Sequence, residues 1–507
     1  MGTIVIVSST EQIDMAPFSA WLPARPNLDF DLTVKIVGSS ASGLIDELAS
    51  IAQALSLHGC QVMAQNGRLN GGSGHLVLSL RIASRPFYSM GDGCDVIVYL
   101  NRGPLEFRQF GLQPGTVLVW EPPEQSRLPP LLPDGIIAYP VPLRELNAQH
   151  SQDTGGKGFV AMGVLAYLLG FSEEARRICL KSLRSSHLFD SGYQFASRSL
   201  IKHDIYSLPL AARGDARIVL SPENAVKLGF AASHCQSGTN CIGELERSPT
   251  QWVARHLAMA DKMVSVLHSE HFPDVQAYRG PQGKVFALFR GNKASILSSL
   301  NGCSDPRVLV AADAADALRL LVIGQRLIET NRAGVVGVVV EEALTARLES
   351  VRVGALAAAM SGNPSDAADE FEGAEEDVTV TMRAEREGED DAEVGFIAWG
   401  TSQGVVRDAL MLYRNVGMSV AALYPKQIVP FPVAQLESFA GTVKRVVVVE
   451  SGQMRTHSDR IEGACVFRPS VVMPHKGTAL TPMDLFMRED VGATHDNLSK
   501  GVRDESA

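Results

Sequence analysis

The segment 394–454, VGFIAWGTSQGVVRDALMLYRNVGMSVAALYPKQIVPFPVAQLESFAGTVKRVVVVESGQM, restricts the fold more than any other part of the chain. An apolar run at 396–399 meets a turn of Gly400, Thr401 and Ser402, and an amphipathic stretch then ends at Gly417. A second apolar run covers 418–423, and Pro430, Phe431 and Pro432 follow it. A helical stretch then precedes a third apolar run at 445–450. Runs apolar at every position belong to strands covered on both faces, and strands that alternate with helices imply a parallel sheet between helical layers. The expected fold class is α/β.

A chain of 507 residues exceeds what one core can organise, so two to four domains are expected. No apolar run approaches the roughly 20 residues a membrane helix needs. The first residues lack the basic and apolar regions of a secretion signal, so the expected location is cytoplasmic, with no membrane partner. A net charge of −10 argues against a nucleic-acid partner, because phosphate binding needs a basic surface. The seven cysteines are scattered without a C-x-x-C pair, so neither a zinc ribbon nor an iron–sulfur cluster is written into this chain. His268 and His271 have metal-like spacing but no accompanying ligand pair, and no metal site is assigned to them.

Three blocks and one acidic stretch emerge along the chain. The first, 31–206, opens with a strand at 32–37, then Gly38, three serines and an alanine, and Gly43. A helix follows, with Leu44, Ile45, Leu48, Ile51, Ala52 and Leu55 on one face. Strands at 61–64, 76–82 and 96–100 surround Asn70, Gly71 and Gly72, and a helix starts near Gly158. Glycine turns that open helices can cradle phosphate on free N–H groups, and they also serve simply to join strand to helix. The second block, 216–360, starts with Ser221 and Pro222 as N-cap and N1 of a helix. It closes with a strand at 308–311, a helix at 313–331, and a strand at 334–340 followed by Glu341 and Glu342. Residues 361–393 are crowded with Asp and Glu and read as a solvated acidic linker. The third block is 394–490.

These patterns resemble the 2-oxoacid:ferredoxin oxidoreductases. Pro430–Pro432 and Glu450, Ser451, Gly452 and Gln453 resemble the P-F-P and E-x-x-x-G-Q elements of their transketolase C-terminal-like domain, with a shorter spacing after the glutamate. The first block is similar to their gamma-type domain, with the glycine turn reduced to Gly38 and Gly43 and R-G-G replaced by Asn70, Gly71 and Gly72. The second is similar to their thiamine pyrimidine-binding domain at both ends. Its middle departs: Thr239 to Glu244 stand where relatives carry Y-P-I-T-P-S, and T-x-S-G-P-G is missing.

The resemblance implies three domains with mainly parallel sheets, arranged as in the alpha subunit of a two-subunit enzyme. It implies oxidative decarboxylation of a 2-oxoacid, with electrons to ferredoxin and the acyl group to coenzyme A. Thiamine diphosphate and Mg would be shared with a beta subunit that also carries a 4Fe-4S cluster, in a hetero-oligomer such as α2β2. Glu270 would be the carboxyl group beside the thiamine aminopyrimidine; Gly38, Gly43, Gly71 and Gly72 would line the coenzyme A site, with Lys157 near its phosphates. Two other readings stay open: a catalytically degenerate alpha-like subunit with an assembly or regulatory role, and a small-molecule binding protein.

Overall fold

The structure, a computed structural model, describes residues 30–38, 44, 47–56, 58–68, 76–101, 112–122, 132, 134–149, 156–209, 216–234, 249–263, 265–268, 276–279, 284–289, 305–330, 332–345, 347–361, 371–372, 381–452, 455–474 and 479–487. They divide into two compact units, one within 1–86 and 92–219, the other within 87–91 and 220–507.

In the first unit, β1 (Asp31–Val37) leads to α1 (Leu48–Ser56), β2 (Gln61–Arg68), β3 (Leu76–Ala83), β4 (Val96–Tyr99), β5 (Val117–Trp120) and β6 (Ile137–Pro140). These six strands lie side by side in the order β6-β5-β4-β1-β3-β2. The pairs β1–β4, β4–β5 and β5–β6 are parallel, whereas β3 runs antiparallel to both β1 and β2. Every residue of β4 is buried, as the unbroken sequence Val96-Ile97-Val98-Tyr99 requires. The α1 face expected from sequence is the buried one, with Leu48, Ile51, Ala52 and Leu55 all inside. Then come α2 (Leu143–Ala148), α3 (Lys157–Leu168), α4 (Glu173–Ser182) and α5 (Ser186–Ser199). The helix α3 is apolar and buried all round beyond Lys157 and Tyr167, the condition of a helix inside a core. β7 (Arg217–Leu220) follows.

The second unit contains α6 (Pro222–His234), α7 (Pro249–Met263), β8 (Ser265–His268), β9 (Gln276–Arg279), β10 (Val285–Phe289), β11 (Pro306–Val310), α8 (Ala314–Glu329), β12 (Val335–Val340), α9 (Glu342–Thr345), β13 (Arg347–Arg352) and α10 (Val353–Ser361). A two-residue ladder joins β14 (Phe371–Glu372) to β15 (Thr381–Met382). Then follow β16 (Glu385–Gly388), β17 (Val394–Ala398), α11 (Ser402–Asn415), β18 (Val420–Tyr424), β19 (Gln427–Val429), α12 (Val433–Ala440), β20 (Val446–Val449), α13 (Thr456–Ala464), β21 (Ser470–Val472) and α14 (Pro482–Phe486). One sheet has the order β19-β11-β12-β10-β9-β8, the other β16-β18-β17-β20-β21. Their centres, β10-β12-β11 and β18-β17-β20-β21, are parallel. Both units are therefore α/β with parallel-rich sheets, the class expected from sequence. Among the described residues, no helix is long and apolar enough to cross a membrane.

The strands β17, β18 and β20 are buried at every position. On α11 the covered stripe is Val405, Val406, Ala409, Leu410 and Tyr413, each worth about 1–3 kcal/mol of transfer free energy according to size. Gly417, at φ 77°, ends that helix: its N–H reaches the Arg414 carbonyl, and Met418 N–H reaches that of Tyr413.

Two features depart from the pattern read along the sequence. The three-residue strand β19 leaves its own sheet and pairs antiparallel with β11. With it comes a shared apolar cluster in which Val308, Val310 and Val339 pack with Ile397, Trp399, Leu423, Ile428 and Val448. The end of the acidic stretch is also not a solvated tether. Glu385–Gly388 pairs antiparallel with β18, because Arg407 bridges Glu385 and Glu387 while Arg414 binds Glu387 at 2.9 Å. The Arg407 guanidinium also lies 4.1 Å from the Tyr424 ring centroid.

Residues 87–91 are held to α11 by one buried carboxylate. Asp408 accepts the N–H groups of Tyr88 at 3.2 Å and Ser89 at 3.0 Å, and the Ser89 hydroxyl at 2.7 Å. Asp408→Asn turns one charged acceptor oxygen into an amide that has no lone pair to offer. It is expected to cost about 1–3 kcal/mol in urea-unfolding midpoint measurements, and an unchanged midpoint would show that the strap contributes nothing to stability.

Candidate functional site

In open α/β sheets, ligands approach the carboxyl ends of parallel strands, where helix N-termini also converge. In the second unit that edge is defined by the ends of β11, β12, β17 and β20. Its polar groups are arranged around two sets of carboxylates.

The first is Glu341, directly after β12. Its Oε2 accepts the Thr401 N–H at 2.8 Å and the Thr401 hydroxyl at 2.6 Å, and its Oε1 accepts the Ser451 hydroxyl at 2.7 Å. Thr401 is the N-cap of α11 but makes no side-chain cap of its own. Glu341 therefore supplies, from the other sheet, the negative group that a helix N-terminus favours. Gly400 is required for this approach: it sits at φ 57°, and a Cβ there would lie 2.4 Å from Glu341 Oε2. Beside it, Ser402 donates to the carbonyls of Trp399 at 2.7 Å and Val449 at 3.0 Å, joining β17 to β20. Glu450, almost wholly buried, accepts the N–H groups of His457 and Ser458, both at 2.8 Å, and so caps α13. The Trp399 and His457 rings stack at 4.4 Å and 3°.

The second carboxylate group surrounds the start of α8. Asp313 is its N-cap and accepts the Asp316 N–H at 2.7 Å. Asp316 in turn receives the buried Lys426 ammonium at 2.9 Å, and the same ammonium reaches Gln403 on α11 at 2.9 Å. Glu349, on β13, accepts the Ala314 N–H at 2.8 Å. Burial, then the Asp313 charge, push the Glu349 carboxyl up to about 7, against the opposing pull of Arg347. Burial followed by the Asp316 charge also raises Asp313. An acid poised near neutrality at this edge is suited to exchanging a proton.

Thiol chemistry is not offered by the first unit's described cysteines. Burial pushes Cys60 up to about 11 and Cys94 and Cys179 up to about 12, so all three stay protonated at neutral pH.

Of the residues singled out from sequence, Gly38 is described. Its φ is 140°, a Cβ there would meet Asn101 Oδ1 at 2.8 Å, and its N–H is donated to the Leu76 carbonyl at 3.0 Å. That amide is committed to the sheet and is not presented to an anion. Lys157 is engaged within the fold: its ammonium pairs with Glu121 at 2.9 Å in a half-buried bridge, while the other Glu121 oxygen accepts the Arg144 N–H. Gly43, Gly71, Gly72, Glu270 and His271 lie outside the described residues.

The roles of Lys426, Asp316 and Glu349 were not legible in the sequence. Glu341 had one usable signal, an acid directly after the buried run Val335–Val340. Glu341→Ala removes three acceptor contacts and the cap of α11. It is expected to lower stability by about 2–4 kcal/mol, with Thr401→Ala costing less; equal midpoints for wild type and Glu341→Ala in urea would refute this role.

Residues 33–187 match the family described as pyruvate ferredoxin/flavodoxin oxidoreductase, and residues 392–464 match pyruvate:ferredoxin oxidoreductase core domain II. No curated protein matches the sequence. Among solved structures, the chain resembles 2-oxoglutarate:ferredoxin oxidoreductase from Magnetococcus marinus, determined with 2-oxoglutarate, coenzyme A and succinyl-CoA bound. The likeness covers 91% of this chain and 99% of that one, with a TM-score of 0.68 at 19% identity, which shows a shared fold. A keto/oxoacid ferredoxin oxidoreductase gamma subunit from Geobacter sulfurreducens overlaps 33% of this chain and 99% of its own, at 19% identity and a TM-score of 0.27. A transketolase from Campylobacter jejuni overlaps 41% of this chain and 27% of its own, at 14% identity and a TM-score of 0.22. Scores that low carry no structural argument for either protein.

Proposed function

We propose that this chain is the alpha-type subunit of a thiamine-dependent 2-oxoacid:ferredoxin oxidoreductase, which decarboxylates a 2-oxoacid, gives two electrons to ferredoxin and passes the acyl group to coenzyme A. The observation that carries this reading is the pairing of two matches to the same enzyme class, at 33–187 and 392–464, with a fold likeness spanning 91% of the chain. Those findings support the 2-oxoacid:ferredoxin oxidoreductase family; the alpha role, the thiamine and the partner are the reading's own.

In this reading thiamine diphosphate, when bound, supplies the nucleophilic carbon and the electron sink for decarboxylation. This chain contributes the wall of a cleft at the strand ends, one carboxyl group toward the aminopyrimidine, and the rigid edge built on Glu341 and Lys426. A beta subunit contributes the diphosphate and Mg site and the 4Fe-4S cluster, in an assembly such as α2β2, and ferredoxin takes the electrons. The described carboxylates fit the aminopyrimidine role poorly, because Glu341 is engaged by Thr401 and Ser451 and Glu349 lies under the first turn of α8. The role stays with Glu270. For coenzyme A, Gly38 and Lys157 are likewise engaged internally. The phosphate contacts fall instead to Gly43, Gly71 and Gly72.

Reconstitution with a beta-type subunit tests the proposal. Ferredoxin reduction that requires both a 2-oxoacid and coenzyme A is expected, and its absence from a correctly assembled, thiamine-loaded complex would contradict the reading. Within the active complex, Glu270→Gln is expected to lower kcat by roughly 10²–10⁴-fold, the span of a lost general acid–base group. Unchanged turnover would remove Glu270 from the mechanism while leaving the subunit reading intact.

A further inference from the structure

Arg347 and Glu349 are two residues apart on β13 and so lie on one face of that strand. They are 9% and 7% exposed. One Glu349 oxygen, Oε2, receives the Ala314 N–H at 2.8 Å. Among the described residues, its Oε1 and the Arg347 Nε have no hydrogen-bond partner. Two buried polar side chains on one strand face, each with an idle atom, are costly as they stand and call for a physical explanation.

The charges acting on Glu349 are Asp313, at the head of α8, and Arg347 on its own strand. α10 packs on both β13 and α8 and carries no titratable residue. From α8, Asp316 faces Asp313 and is also approached by Arg319 at 3.8 Å. Lys426 binds Asp316 and Gln403, and the Arg407 charge from α11 also acts on Asp313. Glu349 is thus linked to α11, the helix whose N-terminus Glu341 caps, through the backbone N–H groups of the first turn of α8 and then through Asp316 and Lys426.

We propose that the head of α8 is a proton-operated joint: one proton taken up or released at the Glu349–Asp313 pair sets how firmly the first turn of α8 is held to β13 and, through Asp316 and Lys426, to α11. With the proton bound, Glu349 is neutral, accepts the Ala314 N–H and leaves Asp313 and Asp316 to Lys426. With the proton gone, a further negative charge is buried against Asp313, opposed among the described residues by Arg347 beside Glu349 and by Lys426 and Arg407 on the Asp313 side.

The direction in pH follows from linkage. The carboxyl is held near 7 in the closed joint against an ordinary value of 4.5 once opened. The closed state therefore keeps a proton that the open state releases. Closure is firmest at low pH, weakens as pH rises through that window, and stops changing above it. From pH 6 to 8 the opening equilibrium is expected to rise roughly tenfold.

Amide hydrogen exchange of the full chain, followed by mass spectrometry over pH 6 to 8 and corrected for intrinsic exchange chemistry, reads this directly. The residues to follow are 312–320. Wild type is expected to lose roughly tenfold protection there, Glu349→Gln to stay protected and flat, and Arg347→Met to move the midpoint to higher pH. A flat wild-type profile would overturn the proposal, since it would mean Glu349 stays ionised and paired throughout or is satisfied by a buried water. A Glu349→Gln profile as steep as wild type would overturn it equally. Should Glu349→Gln fail to fold, the wild-type profile and the Arg347→Met midpoint decide alone.

Discussion

Glu341 is the contact on which the second unit's site edge depends. A helix start leaves several N–H groups without helical acceptors, and α11 does not satisfy them with its own N-cap side chain. The missing acceptor arrives from the end of β12, in a different sheet, and the same carboxylate collects a hydroxyl from the loop after β20. One side chain thus fixes the ends of three parallel strands relative to one another. Gly400 is small enough, and bends sharply enough, to admit it.

Around that contact the edge is built by polar groups that satisfy one another across the two sheets. Lys426 joins the α8 carboxylates to α11, and Glu450 caps α13 from the end of β20. Each of these is a buried charge, tolerable only because partners surround it. The Arg347 and Glu349 pair differs in keeping one idle atom on each side chain. Rigid, prearranged polar groups at strand ends are what a cofactor cleft needs. In the proposed assembly they form one wall, and a second polypeptide forms the other.

Much of this fold could be read along the chain because local signals agreed. The runs at 394–398, 420–424 and 446–449 are apolar at every position, and Gly417 marks the end of α11, so strand, helix and strand follow without tertiary knowledge. What escaped depended on distant partners. Gln427–Val429 is too short to announce itself, and its pairing strand lies more than a hundred residues earlier. Glu385 and Glu387 look like part of a solvated acidic tract until Arg407 and Arg414 are brought beside them. The function of Glu341 is set by Thr401, sixty residues later, and no local pattern records that pairing.

The central claim is that this polypeptide supplies half of a cofactor cleft and requires a different subunit to complete it. Native mass spectrometry of the assembly, isolated gently from the cells that make it, tests this most directly. The account predicts a particle whose mass is 54.5 kDa chains plus an equal number of a second, distinct polypeptide, with thiamine diphosphate retained. A particle built of this chain alone that carries the cofactor and turns over a 2-oxoacid would contradict it.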